Sequence, residues 1–302
     1  MKDDRRPMLL ARTCALYGHL RPVLGPAAAV ASLGYIAYLL VDGGPAALAT
    51  LRQPRYEYLA AGLLLYTVCL VAGGVFWDQA LRVFGVSVGI VRAVELHLLA
   101  APTRYLPVFG AQYVGKIGLI VQAGVPPLDA ASAAALEFAV ICAGGAIAML
   151  AVLPLSGPIP VAGGAFAALS GLSFGPAALA LAIAPLAVAA GMSLVASSGL
   201  RTQARLGYGR ALIWLAAVTV NWLLVGLAVF LLAGTAYAVA PEELPLYQFA
   251  VASALLVGLI GPTPMGIGVR EGVLTLVLGS VVGASEAAAL AVGWRLMTVA
   301  AD

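Results

Sequence analysis

The chain has 302 residues, 63% of them apolar and 10% charged, with a mean hydropathy of +1.04 and a formal net charge of +3. A soluble globular domain carries about a quarter charged residues, so this composition excludes a surface exposed to water all round and implies an all-α polytopic membrane protein. The length suits about six to eight membrane helices of ~20 residues with short loops, in a single transmembrane domain over 1–302 that leaves no segment polar enough for a separate cytosolic active site.

In chain order, Pro22 to Val41 and Tyr56 to Trp77 read as spans, with Asp42, Gly43, Gly44 and Pro45 in the loop between them. The stretch Ala93 to Val121 is apolar but broken near Pro102 and Pro107. Pro126 to Leu153 is a long apolar run, and Pro154 to Gly175, uncharged and rich in Gly, Pro and Ser, reads as a loop at the interface. Two more spans follow at Pro176 to Ala196 and Ala211 to Ala233. Leu246 to Gly261 is short and stops at Pro262, Val269 to Val282 is short again, and Ala284 to Ala301 is the last apolar run. Met1 to Arg21 is polar and basic without the apolar core of a signal peptide, so the first span is expected to be retained.

Basic residues set the orientation. Lys2, Arg5, Arg6, Arg12, Arg21, Arg82, Arg92, Arg201, Arg205 and Arg210 fall on one side by alternate counting, ten of the sixteen Lys and Arg residues. The other side receives the uncharged Pro154 to Gly175 loop and Glu242-Glu243, with Arg52 and Arg55 as exceptions. The expected placement is the cell membrane, multi-pass, with a cytoplasmic N-terminus. With Arg92 and Asp129 both cytoplasmic, Ala93 to Pro126 must enter and leave on one side, as a re-entrant hairpin or a pair of short crossings. Leu246 to Gly283 must do the same from outside.

These two regions share an order of residues. In the first, Pro107 and Gly110 precede Lys116, then Gly124-Val125, then a span with Glu137. In the second, Pro262, Pro264, Gly266 and Gly268 precede Arg270, then Gly283-Ala284, then a span with Arg295. With opposite entry sides, this order predicts two inverted-topology repeats, at 93–153 and 246–302, whose broken helices meet near the midplane. Helix breaks and charges at membrane depth are tolerated where protein buries them or a wet cavity receives them.

Arg104, Lys116, Glu137, Arg270, Glu271, Glu286 and Arg295 form the deep set of charges. Glu137 and Arg295 are expected to pair across the repeats, and with Glu286 to brace or gate the cavity. Arg270 lies beside Gly266-Ile267-Gly268, where the N-terminus of the next helix would aim its free N–H groups into the break. A guanidinium there suits phosphate or carboxylate, and Arg104 and Lys116 would add positive charge from the first repeat. Glu271 is placed to cap that helix or to carry a proton. Asn221, an amide in mid-span, is read as an interhelical hydrogen-bonding residue or a lining residue of the cavity. Gly266 to Gly268 is no dinucleotide fingerprint, because no βαβ unit surrounds it. Cys14, Cys69 and Cys142 lack metal or disulfide spacing, and His19 and His97 are isolated, so no metal or cofactor is expected. With no nucleophile–base pair in view, no catalytic residue is assigned and no enzyme is expected.

Arg104-Tyr105-Leu106-Pro107 with Gly110, then Gly124-Val125 and Glu137, and later Pro262 through Glu271 with Gly283 and Arg295, resemble the lysylphosphatidylglycerol synthase transmembrane region family of flippase-like proteins. The resemblance covers about residues 60 to 302. Family members show a YLPG segment, a basic residue, a GV pair and a PGGxGxRE segment. Here Val108-Phe109 separates Pro107 from Gly110, and Pro264-Met265-Gly266-Ile267-Gly268 replaces the Gly-rich triplet. The resemblance implies re-entrant helices and movement of a lipid between leaflets. Since no lysyl transferase domain accompanies the chain, it points to polyprenyl-phosphate, glyco- or phospholipid substrates. The expected function is a lipid flippase or transporter for an anionic lipid. The alternatives are a small organic-anion carrier and a non-transporting membrane partner of a lipid-modifying enzyme. Expected partners are the lipid itself and a second copy or a lipid-modifying enzyme, with no nucleic acid.

Overall fold

The computed structural model describes residues 54–105, 110–156, 207–260 and 266–302, with Gly34, Tyr38 and Val41 as helical positions before them. Every regular element among these residues is helical. In order they are α1 (Tyr56–Val83), α2 (Ile90–Ala100), a 3-10 turn (Ala101–Tyr105), α3 (Ala111–Gln122), α4 (Pro127–Val152), α5 (Tyr208–Gly234), α6 (Leu244–Ile260), α7 (Val269–Val282) and α8 (Ala284–Ala301). Three helices are long and apolar enough to cross a membrane, Tyr56–Val83, Pro127–Leu155 and Tyr208–Gly234. Their outer faces carry large apolar side chains, with Leu64 67% and Ile213 71% exposed. Such surfaces are stable only against lipid or protein, and the chain is a membrane protein on that ground.

The expected spans map onto helices with small changes of boundary. α1 runs past Trp77 to Val83 because Asp78 and Arg82, one turn apart, pair at 2.6 Å and carry the helix through its charged end. Pro127 at the first helical position starts α4 and leaves no backbone N–H unpaired there. The expected spans at 22–41 and 176–196, and most of the loop at 154–175, lie outside the described residues, as do Pro107, Pro262 and Pro264.

The break expected after Ala93 is present. Residues 90–122 divide into α2, the 3-10 turn and α3, and Gly110 opens α3 with φ +72°. At 1.5 Å per residue, α2 and α3 reach roughly 16 and 18 Å, about half of a ~30 Å hydrocarbon core. The two halves pack together. Thr103 Oγ1 donates to the Ala100 and Ala111 carbonyls at 2.7 and 3.1 Å, so the 3-10 turn is tied to the start of α3. The second region has the same order: α6 stops at Ile260, positive-φ glycines Gly266 and Gly268 follow, α7 begins, and Gly283 (φ +98°) turns the chain into α8.

α5 packs against α1, α4 and α6, and α8 closes back on α1. The buried aromatics Trp77, Trp214, Trp222, Phe249 and Trp294 lie in the clusters that these helices share. Lipid supplies no hydrophobic drive between helices, so close approach of small residues does much of the holding. A Cβ on Gly226 would sit 2.6 Å from the Gln248 Cα, and one on Gly145 would sit 2.7 Å from the Trp222 ring. Gly226→Ala is therefore expected to destabilise the protein by about 1–3 kcal/mol, because the obstacle is backbone. Gly118→Ala, where a Cβ meets nothing within 4 Å, should be neutral or stabilising. Thermal unfolding in detergent separates the two, and equal midpoints would refute this packing.

Candidate functional site

The broken region of each half and the middle of α1, α5 and α6 surround a cavity of two adjoining chambers. Tyr66 on α1, Arg104 on the 3-10 turn, Val225 on α5, Leu255 on α6 and Arg270 on α7 line both. The smaller chamber, about 90 Å³, adds Glu271, Trp294, Arg295 and Thr298. The larger, about 190 Å³, adds His97, Gln112, Tyr113, Lys116, Asn221 and Trp222 among others. Of the residues expected to form a head-group site, Arg104, Lys116, Arg270 and Glu271 all reach this cavity, and Arg295 joins them.

The cations differ in how they are compensated. Lys116 Nζ donates to both Glu137 oxygens, at 2.8 and 2.7 Å, with the lysine 1% and the glutamate 0% exposed. The Trp77 ring lies 5.1 Å from the same ammonium and Tyr113 5.7 Å, which adds cation–π attraction in a dry setting. Arg295 Nε donates to Glu271 Oε1 at 2.6 Å. Arg104 Nε donates to the Ala101 carbonyl at 3.0 Å, and its guanidinium lies 3.3 Å from Asp302. Arg270 has no hydrogen bond or ion pair among the described residues, and its Nε is buried without a partner.

One expectation is corrected by this pairing. Glu137 does not meet Arg295; each is neutralised within its own half, Glu137 by Lys116 across α3 and α4, Arg295 by Glu271 across α7 and α8. The physical reason is the turn that joins each pair of helices. Gly124 and Gly283 fold the chain back on itself, so the nearest opposite charge lies on the adjoining helix and a cross-half partner is not needed. The polarity is reversed between halves, cation first in one and anion first in the other. At the N-terminus of α7, Glu271 takes the capping role expected of it. Glu271 Oε2 accepts the Gly268 N–H at 2.8 Å, so the carboxylate of this chain caps that end.

Glu286 lies apart from the cavity. It sits in the first turn of α8, accepts from Ser285 Oγ at 2.8 Å and packs beside Gly283, a position where a carboxylate complements the helix dipole. Gly110 and Gly268 adopt positive φ and open α3 and α7. Gly266 does more. A Cβ there would lie 2.5 Å from the Gly258 Cα and 2.9 Å from the Arg270 Cγ, and a Cβ on Gly258 would overlap the Arg270 stem. Gly258 and Gly266 thus form the slot through which the Arg270 side chain passes. Sequence reading missed Gly258, an isolated glycine in an apolar helix eight residues before Gly266. It also missed Tyr66, His97 and Gln112 as lining residues, none of which carries a motif. Among the described residues no group of His, Cys, Asp and Glu is placed to hold a metal ion. No family model matches the chain, and no curated protein is significantly similar to it.

Removing one member of a buried ion pair strands the other. Glu137→Gln is expected to cost about 3–5 kcal/mol of stability, and Lys116→Met combined with Glu137→Leu to recover most of it. The measurement is the unfolding midpoint in detergent; a double variant no more stable than Glu137→Gln would contradict the pairing.

Proposed function

We propose that this protein moves an anionic, phosphate-bearing lipid between the leaflets of a membrane, binding its head group at Arg270. The observation that carries the reading is the Arg270 guanidinium, which has no hydrogen bond or ion pair among the described residues, in a cavity where Arg104, Lys116 and Arg295 each pair with a carboxylate. An arginine at the centre of a membrane helix costs about 2.5–3.5 kcal/mol on insertion scales. The chain holds Arg270 in a slot of two glycines rather than pairing it, which suits a partner that comes and goes. A charge-assisted hydrogen bond to phosphate is worth about 1.5–3 kcal/mol, enough to bind and still release.

The wall of the cavity favours a lipid over a soluble anion. Trp294, Arg295 and Thr298 of α8 line the smaller chamber, while Gly293, Leu296, Met297 and Ala300 of the same helix line an apolar groove of about 470 Å³ shared with α1 and α5. A charged chamber one helix away from an apolar groove matches an amphiphile whose tail stays in hydrocarbon. The shared order of helix, break, positive-φ glycine, short helix and turn supports inverted repeats at 93–153 and 246–302, with re-entrant breaks entering from opposite sides. The multi-pass arrangement in a cell membrane, with a cytoplasmic N-terminus, follows from the distribution of basic residues. This reading agrees with the resemblance to the lysylphosphatidylglycerol synthase transmembrane region family.

Mass spectrometry of co-purifying lipids tests it. Wild type is expected to retain an anionic lipid that Arg270→Gln loses by about 10- to 100-fold, with Arg270→Lys intermediate because an ammonium lacks the planar fork. Since the wild-type guanidinium has no ion pair among the described residues, Arg270→Gln should leave the unfolding midpoint unchanged or raised in lipid-free detergent. Gly258→Ala, which blocks the slot, should reproduce the loss of lipid with Arg270 still present. An identical lipid profile in wild type and Arg270→Gln would overturn the head-group role.

A further inference from the structure

The smaller chamber is lined by buried donors that have no acceptor among the described residues. Arg270 Nε is one of them. Trp294 on α8 lines the same chamber, is 4% exposed, and its indole Nε1 is likewise buried without a partner. An indole nitrogen only donates, so what satisfies it must be an acceptor. Glu271, the carboxylate in the wall, is engaged at both oxygens, by Arg295 and by the Gly268 N–H. Buried donors left unmet are costly, and two of them facing one space imply a guest that accepts from both.

Charge decides what that guest is when no lipid is bound. Among the described residues, the four cations Arg104, Lys116, Arg270 and Arg295 line the cavity and three carboxylates, Glu137, Glu271 and Asp302, pair with them, which leaves one positive charge. Water would accept the hydrogen bonds and leave that charge standing. A lipid phosphate cancels it only while bound, and a carrier stands empty of lipid for part of its cycle. At about 90 Å³ the chamber exceeds several-fold the ~10–15 Å³ that admits one water, which gives room for a bare ion and a little of its hydration. Resting on the reading of Arg270 as the head-group anchor, we infer that a monovalent inorganic anion of halide size occupies this chamber in the absence of lipid, held by the Arg270 guanidinium and the Trp294 N–H. Ion and head group are then alternative occupants of one site, and Trp294 is its second ligand. The lipid binds by displacing the ion, so the site never stands as a bare charge at membrane depth.

Titration of the full chain in detergent tests this, with sodium chloride replacing sodium gluconate at constant ionic strength. Gluconate has the same charge and is too bulky for the chamber, so it defines the empty site and is the medium in which Arg270→Gln should match or exceed wild type. Chloride is expected to raise the wild-type unfolding midpoint saturably and to leave that of Arg270→Gln unmoved. Trp294→Phe keeps the ring and removes the donor; its midpoint should still rise, at a chloride concentration about 3- to 10-fold higher. Phosphatidylglycerol binding to wild type should weaken about tenfold when chloride reaches ten times its own dissociation constant. A midpoint indifferent to chloride, an equal rise in wild type and Arg270→Gln, or a Trp294→Phe curve that overlays wild type overturns the inference. So does chloride that binds without weakening the lipid. The two levels fail separately. Lipid lost in Arg270→Gln with no chloride response in wild type upholds the anchor and removes the ion, whereas lipid and chloride both retained in Arg270→Gln remove the two together.

Discussion

A charge placed at membrane depth is expensive unless something nearby compensates it, and the interior of this protein is organised around that cost. Lys116 is held by two carboxylate contacts and two aromatic faces, Arg295 by Glu271, and Arg104 by a carbonyl and Asp302. These arrangements fix α3 to α4, α7 to α8, and the 3-10 turn to the end of α8. The breaks can therefore persist between rigidly tied helices. Among the described deep cations, Arg270 stands outside the scheme, and the functional account follows from that exception.

The two halves reach the same end with opposite chemistry. In one, the short helix after the break carries the cation and the following helix the anion; in the other the order is reversed. The Lys116–Glu137 and Glu271–Arg295 pairs each close within their own half, and among the described residues Arg104 with Asp302 is the ion pair that ties one half to the other. Relative motion of the halves would then leave those two pairs intact and part Arg104 from Asp302, which suits a protein that must open a polar chamber alternately to two sides. Glu271 serves its half twice, as cap of α7 and as partner of Arg295, so it holds the helix whose first turn presents Arg270.

Much of the fold was legible because its signals are local. Apolar runs bounded by Pro127, Gly110 and Gly283 gave helices within a few residues of those observed, and the breaks were marked by Pro and Gly in apolar sequence. α1 exceeded its expected end because an i, i+4 pair between Asp78 and Arg82 reads as a charged boundary in sequence but continues a helix in space. The deep charges were found from composition alone, since each is rare in so apolar a chain. Their pairing was not found, because the deep set offers Glu137 four cations and only the turn at Gly124 decides among them. Asn221 stood out as a mid-span amide, but the rest of the polar lining of the larger chamber was hidden for a related reason: Gln112 and His97 come from two other helices and share no spacing with it. Gly258 was invisible because its role depends on a side chain twelve residues away.

Transbilayer movement in proteoliposomes is the most direct test of the central claim. A fluorescent phosphatidylglycerol, bleached from outside by an impermeant reductant, would report how fast the inner-leaflet pool becomes accessible. The account predicts faster exchange than in empty vesicles with wild-type protein, and exchange at the empty-vesicle rate with Arg270→Gln incorporated to the same level. Equal rates for wild type and Arg270→Gln, or a wild-type rate no faster than empty vesicles, would contradict it.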